Sequence, residues 1–117
     1  MKDILKSSVT SVEGALASVV MGFDGVPVEQ YIHDGAPVDI ETLGVEYSNA
    51  LTEVRRTADA LASGSVQEVA VVTETALVLL RPVNQEYFVA LVLTAEGNLG
   101  KGRFVLKRAA RALAQEM

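Results

Sequence analysis

The sequence predicts a single α/β domain of the α+β kind, in which helices cover both faces of one sheet. Half of the 117 residues are apolar, yet only three are Phe, three are Tyr and none is Trp, so the core must be aliphatic. Apolar residues follow helical or strand periodicity in the order helix, two strands, long helix, three strands, helix. No repeat or linker interrupts this order, so residues 1–117 are predicted to form one domain.

The first third of the chain predicts a short helix followed by a hairpin. The helix covers residues 2–13, and residues 15–21 are apolar at both alternating sets, as in a strand covered on both faces. Glycines in the turn at 22–25 can take positive φ, which allows a second strand over 26–32 to fold back. Pro27 has no N–H donor, so this second strand is predicted at an edge of the sheet.

The longest predicted element is a helix over residues 39–62. Asp39 can cap its N-terminus, and Ser63-Gly64 supplies a stop. One apolar stripe recurs at spacings of three and four residues. Its members are Ile40, Leu43, Tyr47, Leu51, Val54, Ala58 and Leu61. The helix is longer than one sheet face requires, so we expect it to meet a second protein surface as well.

The remaining residues predict three strands and a final helix. The strands cover residues 66–73, 76–83 and 87–95, and the last of these is apolar on both faces, which predicts a central position. The final helix is predicted over 101–115, with its basic residues facing outward. The residues predicted to face inward are Phe104, Leu106, Ala109, Ala110 and Leu113.

Charge and composition favour a protein partner. The net charge is −5, no Lys or Arg lies between Ser7 and Val54, and the final helix holds five of the ten basic residues. Such a split favours protein partners or self-association over nucleic acid. Because the chain has no cysteine, no signal-peptide run and no apolar run near the roughly 20 residues that span a bilayer, we expect a cytoplasmic protein without direct membrane insertion.

No constellation of residues indicates catalysis. His33 is the only histidine and has no second metal ligand or nucleophile near it in the sequence. The glycine-rich segment 97–102 follows a strand and opens a helix, but Lys101 is not followed by Ser or Thr, so it lacks the P-loop pattern. We therefore predict no catalytic, cofactor-binding or metal-binding residues, and no enzyme activity.

Several junction motifs resemble the roadblock/dynein light chain family over nearly the whole chain. They are Glu-Gly-Ala-Leu-Ala-Ser-Val-Val at 13–20, Asp-Gly-Val-Pro-Val at 24–28, Asn-Leu-Gly at 98–100 and Lys-Arg-Ala-Ala at 107–110. The resemblance implies a profilin-like fold with a five-stranded antiparallel sheet in the order 2-1-5-4-3. It also implies that the long helix covers one face and the terminal helices cover the other.

The resemblance further implies a homodimer in which the long helices pack together and the third strands join into one sheet. Members of the family have no active site of their own, and many associate with Ras-like GTPases, in bacteria often of the gliding-motility type. The dimer interface is then expected at Leu43, Tyr47, Leu51, Val54, Ala58, Val69 and Val71. A further partner is expected at Glu46, Glu53, Arg55 and Arg56.

The leading hypothesis is therefore a non-catalytic, dimeric regulatory or scaffold protein for a Ras-like small GTPase or a related signalling or motility partner. The alternative is a small-molecule sensor or a structural assembly subunit without a GTPase partner. Arg55 and Arg56 allow two interpretations. They act on a nucleotide site in trans, as an arginine finger does, or they form ordinary ion pairs with Glu53, Asp59 or a second subunit.

Overall fold

The computed structural model describes residues 1–117 as one antiparallel sheet with helices on both faces. The sheet has the strand order β2-β1-β5-β4-β3. The elements, in chain order, are α1 (Lys2–Thr10), β1 (Ala15–Gly22), β2 (Pro27–Ile32), α2 (Ile40–Ala60), β3 (Val69–Val72), β4 (Ala76–Pro82), β5 (Tyr87–Thr94) and α3 (Leu99–Glu116). The predicted fold class and strand order are confirmed.

Hairpins account for most of this topology, and the pairing of β1 with β5 joins the two halves of the chain. Strands β1 and β2 form one hairpin, while β3, β4 and β5 form a meander. In the joining pair, Val19 lies opposite Ala90. The predicted edge position of Pro27 and the predicted central position of β5 are both confirmed.

The two faces of the sheet carry two separate core layers. Leu5 of α1 and Leu106 of α3 pack with Leu91 of β5 on one face. Ile40 of α2 packs with Phe88 on the other face. Because β5 contributes alternate side chains to each layer, both alternating sets are apolar, as expected of a strand buried on both sides. None of the three helices is long and apolar enough to cross a membrane.

Helix α3 differs from its prediction in one important residue. It begins at Leu99, after Asn98 accepts a hydrogen bond from the Lys101 N–H at 3.0 Å. Phe104, predicted to face inward, is 60% exposed. Gly102 and Leu106 face the sheet, and a residue two positions from both lies on the opposite side of an α-helix. The inward assignment of Phe104 was therefore wrong.

Two element ends also differ from the prediction. Helix α2 ends at Ala60, and Ala62 takes the left-handed conformation with φ of 54°, two residues before the predicted glycine stop. Strand β3 covers only Val69–Val72 rather than 66–73. Its pairing with β4 runs from Val69–Leu80 to Val72–Leu77, whereas β4 itself continues to Pro82 through its pairing with β5.

Candidate protein-binding interface

Helix α2 buries a narrow stripe and leaves much of its apolar surface in reach of solvent. It packs against β1 and β2, and its buried residues are Ile40, Gly44, Ser48 and Leu51. The Asp39 carboxylate accepts hydrogen bonds from the Thr42 N–H at 3.2 Å and the Thr42 hydroxyl at 2.8 Å, which starts the helix as predicted. These hydrogen bonds lower the pKa of Asp39 below its ordinary value.

One flank of α2 carries apolar side chains that the chain itself covers only in part. Leu43, Tyr47 and Ala58 are half-buried, and Val54 is 39% exposed. We call these four residues the α2 shelf. Helical spacing places them on the same side of α2, adjacent to the buried stripe. The predicted stripe is thus split between the core and this shelf, and its last member, Leu61, is 72% exposed beyond the helix.

Leu51 does not belong to the shelf, although the sequence placed it in a dimer interface. Its side chain is 0% exposed and packs into the core layer beneath α2. Helical geometry brings Leu51 directly over Ile40 and Ser48, which face the sheet. Leu51 is therefore a core residue of the single chain and is not counted in the shelf, while its predicted place in a dimer interface stays a prediction.

Two side chains of the edge strand β3 point to the same face of the sheet as the α2 shelf. Val69 and Val71 are half-buried and pack against the core layer beneath α2. Ala70 and Val72 point to the other face, and Val72 is 66% exposed. The α2 shelf and the inward side chains of β3 thus offer apolar groups on one face of the sheet, and the β3 edge adds unpaired backbone groups.

The direction of the β3 backbone groups follows from the turn that joins it to β4. The Thr73 N–H donates to the Ala76 carbonyl at 2.9 Å and closes a two-residue turn. In an antiparallel pair, hydrogen-bonded residues alternate, so the N–H groups of Val69 and Val71 face β4. Those of Ala70 and Val72 face the free edge. Sequence reasoning missed these two donors, although the Glu74-Thr75 turn already implies the alternation.

The charged residues predicted to bind a partner have different surroundings. Arg56 forms an ion pair with Glu53, and this hydrogen-bonded contact raises the pKa of Arg56. The Arg55 guanidinium lies 3.9 Å from the centre of the Phe23 ring and donates to Gln85 Oε1 at 3.0 Å. Glu46 is exposed. Among the four, only Glu46 has no ion pair or side-chain hydrogen bond within the chain.

The surface offers apolar contact and backbone hydrogen bonding. His33 lies in the loop before α2 and is exposed there. No three His, Cys, Asp or Glu side chains come close enough together to hold a metal ion. The α2 shelf and the β3 edge are therefore a candidate protein-binding surface because they combine exposed apolar side chains with unpaired backbone groups.

Comparison with solved structures gives the family. MglC from Myxococcus xanthus is 45% identical to this chain, with 98% of this chain and 97% of that chain covered and a TM-score of 0.73. The chain belongs to the roadblock family. A roadblock/LC7 domain from Streptomyces avermitilis has a TM-score of 0.87 at 14% identity, covering 99% of this chain and 96% of that chain.

A third structure shares the fold of this roadblock protein. The gliding protein MglB from Thermus thermophilus has a TM-score of 0.87 at 21% identity, covering 97% of this chain and 84% of that chain. The likeness to MglB and to the Streptomyces domain concerns the fold alone. No protein-family model matches the sequence, and no curated protein matches it either.

Proposed function

We propose that this roadblock protein is a non-catalytic, homodimeric regulatory or scaffold protein that binds a Ras-like small GTPase or a related signalling or motility partner. The observation that carries the proposal is the α2 shelf on the same face of the sheet as the inward side chains of the free edge strand β3. Relatedness to MglC and the structural likeness to MglB, which is called a gliding protein, support a regulatory role.

A second copy of the chain fits this surface. In a two-fold arrangement the same patch is used twice, so shelf meets shelf and one β3 edge meets the other. Such pairing removes Val54 and Val72 from water and supplies partners for the Ala70 and Val72 N–H groups. MglB, which shares this fold, is known in a tetrameric arrangement, so that protein also associates with further copies.

The outward side of α2 remains for the further partner. Glu41 and Glu46 are exposed there and have no ion pair within the chain. Carboxylates without a cationic partner in the chain attract a basic surface of a partner toward the helix. The opposite charges of Glu53 and Arg56 neutralise each other, so this pair contributes less to the attraction of a basic partner.

Light scattering of the purified protein tests the dimer. We expect about twice the chain mass of 12.4 kDa. Val54→Asp places a carboxylate in the shelf and should give a folded monomer. Asn49→Asp adds the same charge on the exposed side of α2 and should leave the dimer intact. A wild-type monomer at micromolar concentration, or equal effects of both variants, would contradict the proposed interface.

Binding to Ras-like GTPases of the source organism tests the partner. Each purified GTPase is loaded with GDP or a GTP analogue and titrated into the dimer, with GTP hydrolysis measured in parallel. We expect one GTPase to bind with different affinities in its two nucleotide states. Glu46→Lys should weaken that binding while the dimer persists. Absence of binding by every GTPase in both states would instead favour a scaffold without a GTPase partner.

A further inference from the structure

A groove runs between α1 and α3 on the face of the sheet opposite the α2 shelf. The two helices are antiparallel, since the Met1 amino group lies 2.9 Å from Glu116 Oε1 at the far end of α3. The groove encloses about 560 Å³, within the range of about 300–1,000 Å³ that is common for binding cavities. It is separate from every residue of the proposed dimer interface.

The floor of the groove is apolar and its walls carry small hydroxyls. Ile4 of α1 and Val105, Ala109 and Ala112 of α3 supply the apolar floor. Ser7 and Ser11 line the α1 side and are exposed. This combination accepts an apolar side chain while leaving donors and acceptors for a peptide backbone.

Phe104 lines the groove, and its ring is exposed, which is unusual for a Phe side chain. It is 60% exposed, which makes it the most exposed aromatic ring in the chain. The Arg108 guanidinium lies 5.7 Å from the centre of its ring, close enough to hold the ring by a cation–π contact. Aromatic rings and Arg side chains are the residues that most often dominate the binding energy of protein interfaces.

The charge around the groove is positive, in a chain that is acidic overall. Lys101 and Arg108 line the groove, whereas Lys107 and Arg111 of α3 do not. None of these four residues forms an ion pair, whereas Arg103 is paired with Glu68 at 2.7 Å. Asp3 is the one acidic side chain that lines the groove. Unpaired cations around an apolar floor select an occupant that carries both carboxylates and apolar side chains.

We propose that the α1–α3 groove binds an acidic, amphipathic peptide segment of a partner protein. One apolar side chain of the segment enters between Ile4 and Val105, and another covers Phe104. Carboxylates on either side meet Lys101 and Arg108. The concave shape favours a peptide over a flat membrane surface, which cannot reach the floor between two helices.

A displayed library of random peptides tests the proposal and does not require the partner protein to be identified. Peptides about 15 residues long reach about 22 Å as a helix, somewhat shorter than the 18-residue α3. The library is selected on the wild-type protein. We expect the enriched sequences to combine Asp or Glu with Leu, Ile or aromatic residues at helical spacing.

Affinity of the best synthetic peptide is then measured by fluorescence anisotropy against variants of known melting temperature. Phe104→Ala and Arg108→Glu should each weaken binding about tenfold or more, as loss of a central contact does. Arg111→Glu makes the same charge change on α3 outside the groove and should have a much smaller effect. Added salt should weaken binding, because exposed charges are screened.

Three results would overturn the proposal. One is enrichment of no peptide, or of peptides without acidic residues. Another is equal loss of affinity in Arg108→Glu and Arg111→Glu, which would indicate diffuse charge attraction. The third is binding to vesicles of phosphatidylserine and phosphatidylcholine that Phe104→Ala abolishes while no peptide binds. The monomeric Val54→Asp variant should keep its peptide affinity, so failure here is distinguishable from failure of the dimer.

Discussion

Gly44 of α2 lies directly over Met21 of β1, so closely that a Cβ at position 44 would come within 2.6 Å of Met21 Cε. Met21 is 0% exposed, so the flexible end of its side chain would have to shift within the core to admit such a Cβ. The pair sets the distance between α2 and the sheet. It therefore also sets how far the α2 shelf stands out from the molecule.

Gly44→Ala should lower the free energy of unfolding by roughly 1 kcal/mol, because overpacking costs about 1–3 kcal/mol and the gain in helix propensity returns about 1 kcal/mol. Denaturant unfolding measures the change. Met21→Val removes the two atoms nearest to the new methyl group. The double variant should then be less destabilised than the sum of the single variants. Strict additivity would show that Gly44 and Met21 are not in contact.

The Asp39 cap should make the stability of α2 depend on pH. Hydrogen bonds from Thr42 lower the pKa of Asp39 in the folded chain. The cap therefore stabilises the protein above the pKa that Asp39 has when unfolded, and this stabilisation is lost as the pH falls through the lower, folded value. The melting temperature should fall more steeply toward acid pH in the wild type than in Asp39→Asn, which keeps a neutral cap.

A matched exposed residue checks this interpretation. Asp34→Asn changes an aspartate in the loop before α2 that makes no side-chain hydrogen bond within the chain. The melting temperature of this variant should equal that of the wild type at every pH. If Asp34→Asn and Asp39→Asn give the same pH dependence, the effect belongs to overall charge and not to the cap.

Proline substitutions in β3 should separate chain stability from pairing between chains. Val69→Pro removes an N–H that faces β4, so it should destabilise the single chain. Ala70→Pro removes an N–H that faces the free edge, where proline is tolerated. It should leave the melting temperature of the monomeric Val54→Asp background nearly unchanged. In the wild-type background it should weaken the proposed dimer about tenfold or more, or about 1.4 kcal/mol.

Analytical ultracentrifugation over a concentration series measures that weakening. An intact dimer in a folded Ala70→Pro protein would mean that the third strands do not pair. Ala70→Ser serves as the control, because it changes the side chain at the same position and keeps the backbone N–H.

The elements of the fold could be predicted because their signals are local. Pro27 marked an edge strand, Asp39 marked a helix start, and the doubly apolar β5 marked the sheet centre. Which side of a helix faces the sheet depends on packing, and there the prediction failed for Phe104. Helical spacing predicts the outward position once Leu106 is known to face the sheet, since Phe104 lies two residues from it. The apolar character of Phe104 alone favours burial.

The candidate interface was predictable only in part for the same reason. Leu51 and Val54 look equivalent in a stripe with spacings of three and four residues. Leu51 lies on the side of α2 where Gly44 contacts Met21 and is buried, whereas Val54, three residues further on, is 39% exposed. A glycine in the middle of a helix carries no apolar signal, so its effect on the helix orientation appears only in the packed structure.

Arg55 should stabilise the protein more than its neighbour Arg56, although both were expected to bind a partner. Its guanidinium lies over Phe23 in the β1–β2 turn and donates to Gln85 in the β4–β5 turn, so it ties α2 to two turns at one end of the sheet. Arg55→Ala should lower the free energy of unfolding by about 0.5–2 kcal/mol, as expected for a partly desolvated cation–π contact and its packed stem.

Arg56→Ala is the matched control, because it removes an exposed ion pair with Glu53 and should have no measurable effect on denaturant unfolding. Combining Arg55→Ala with Phe23→Leu should give less than the sum of the single changes, since the second substitution has no ring contact left to remove. If both arginine variants unfold at the same denaturant concentration, Arg55 does not anchor the turns. It would then be free to contact a partner, as the sequence first indicated.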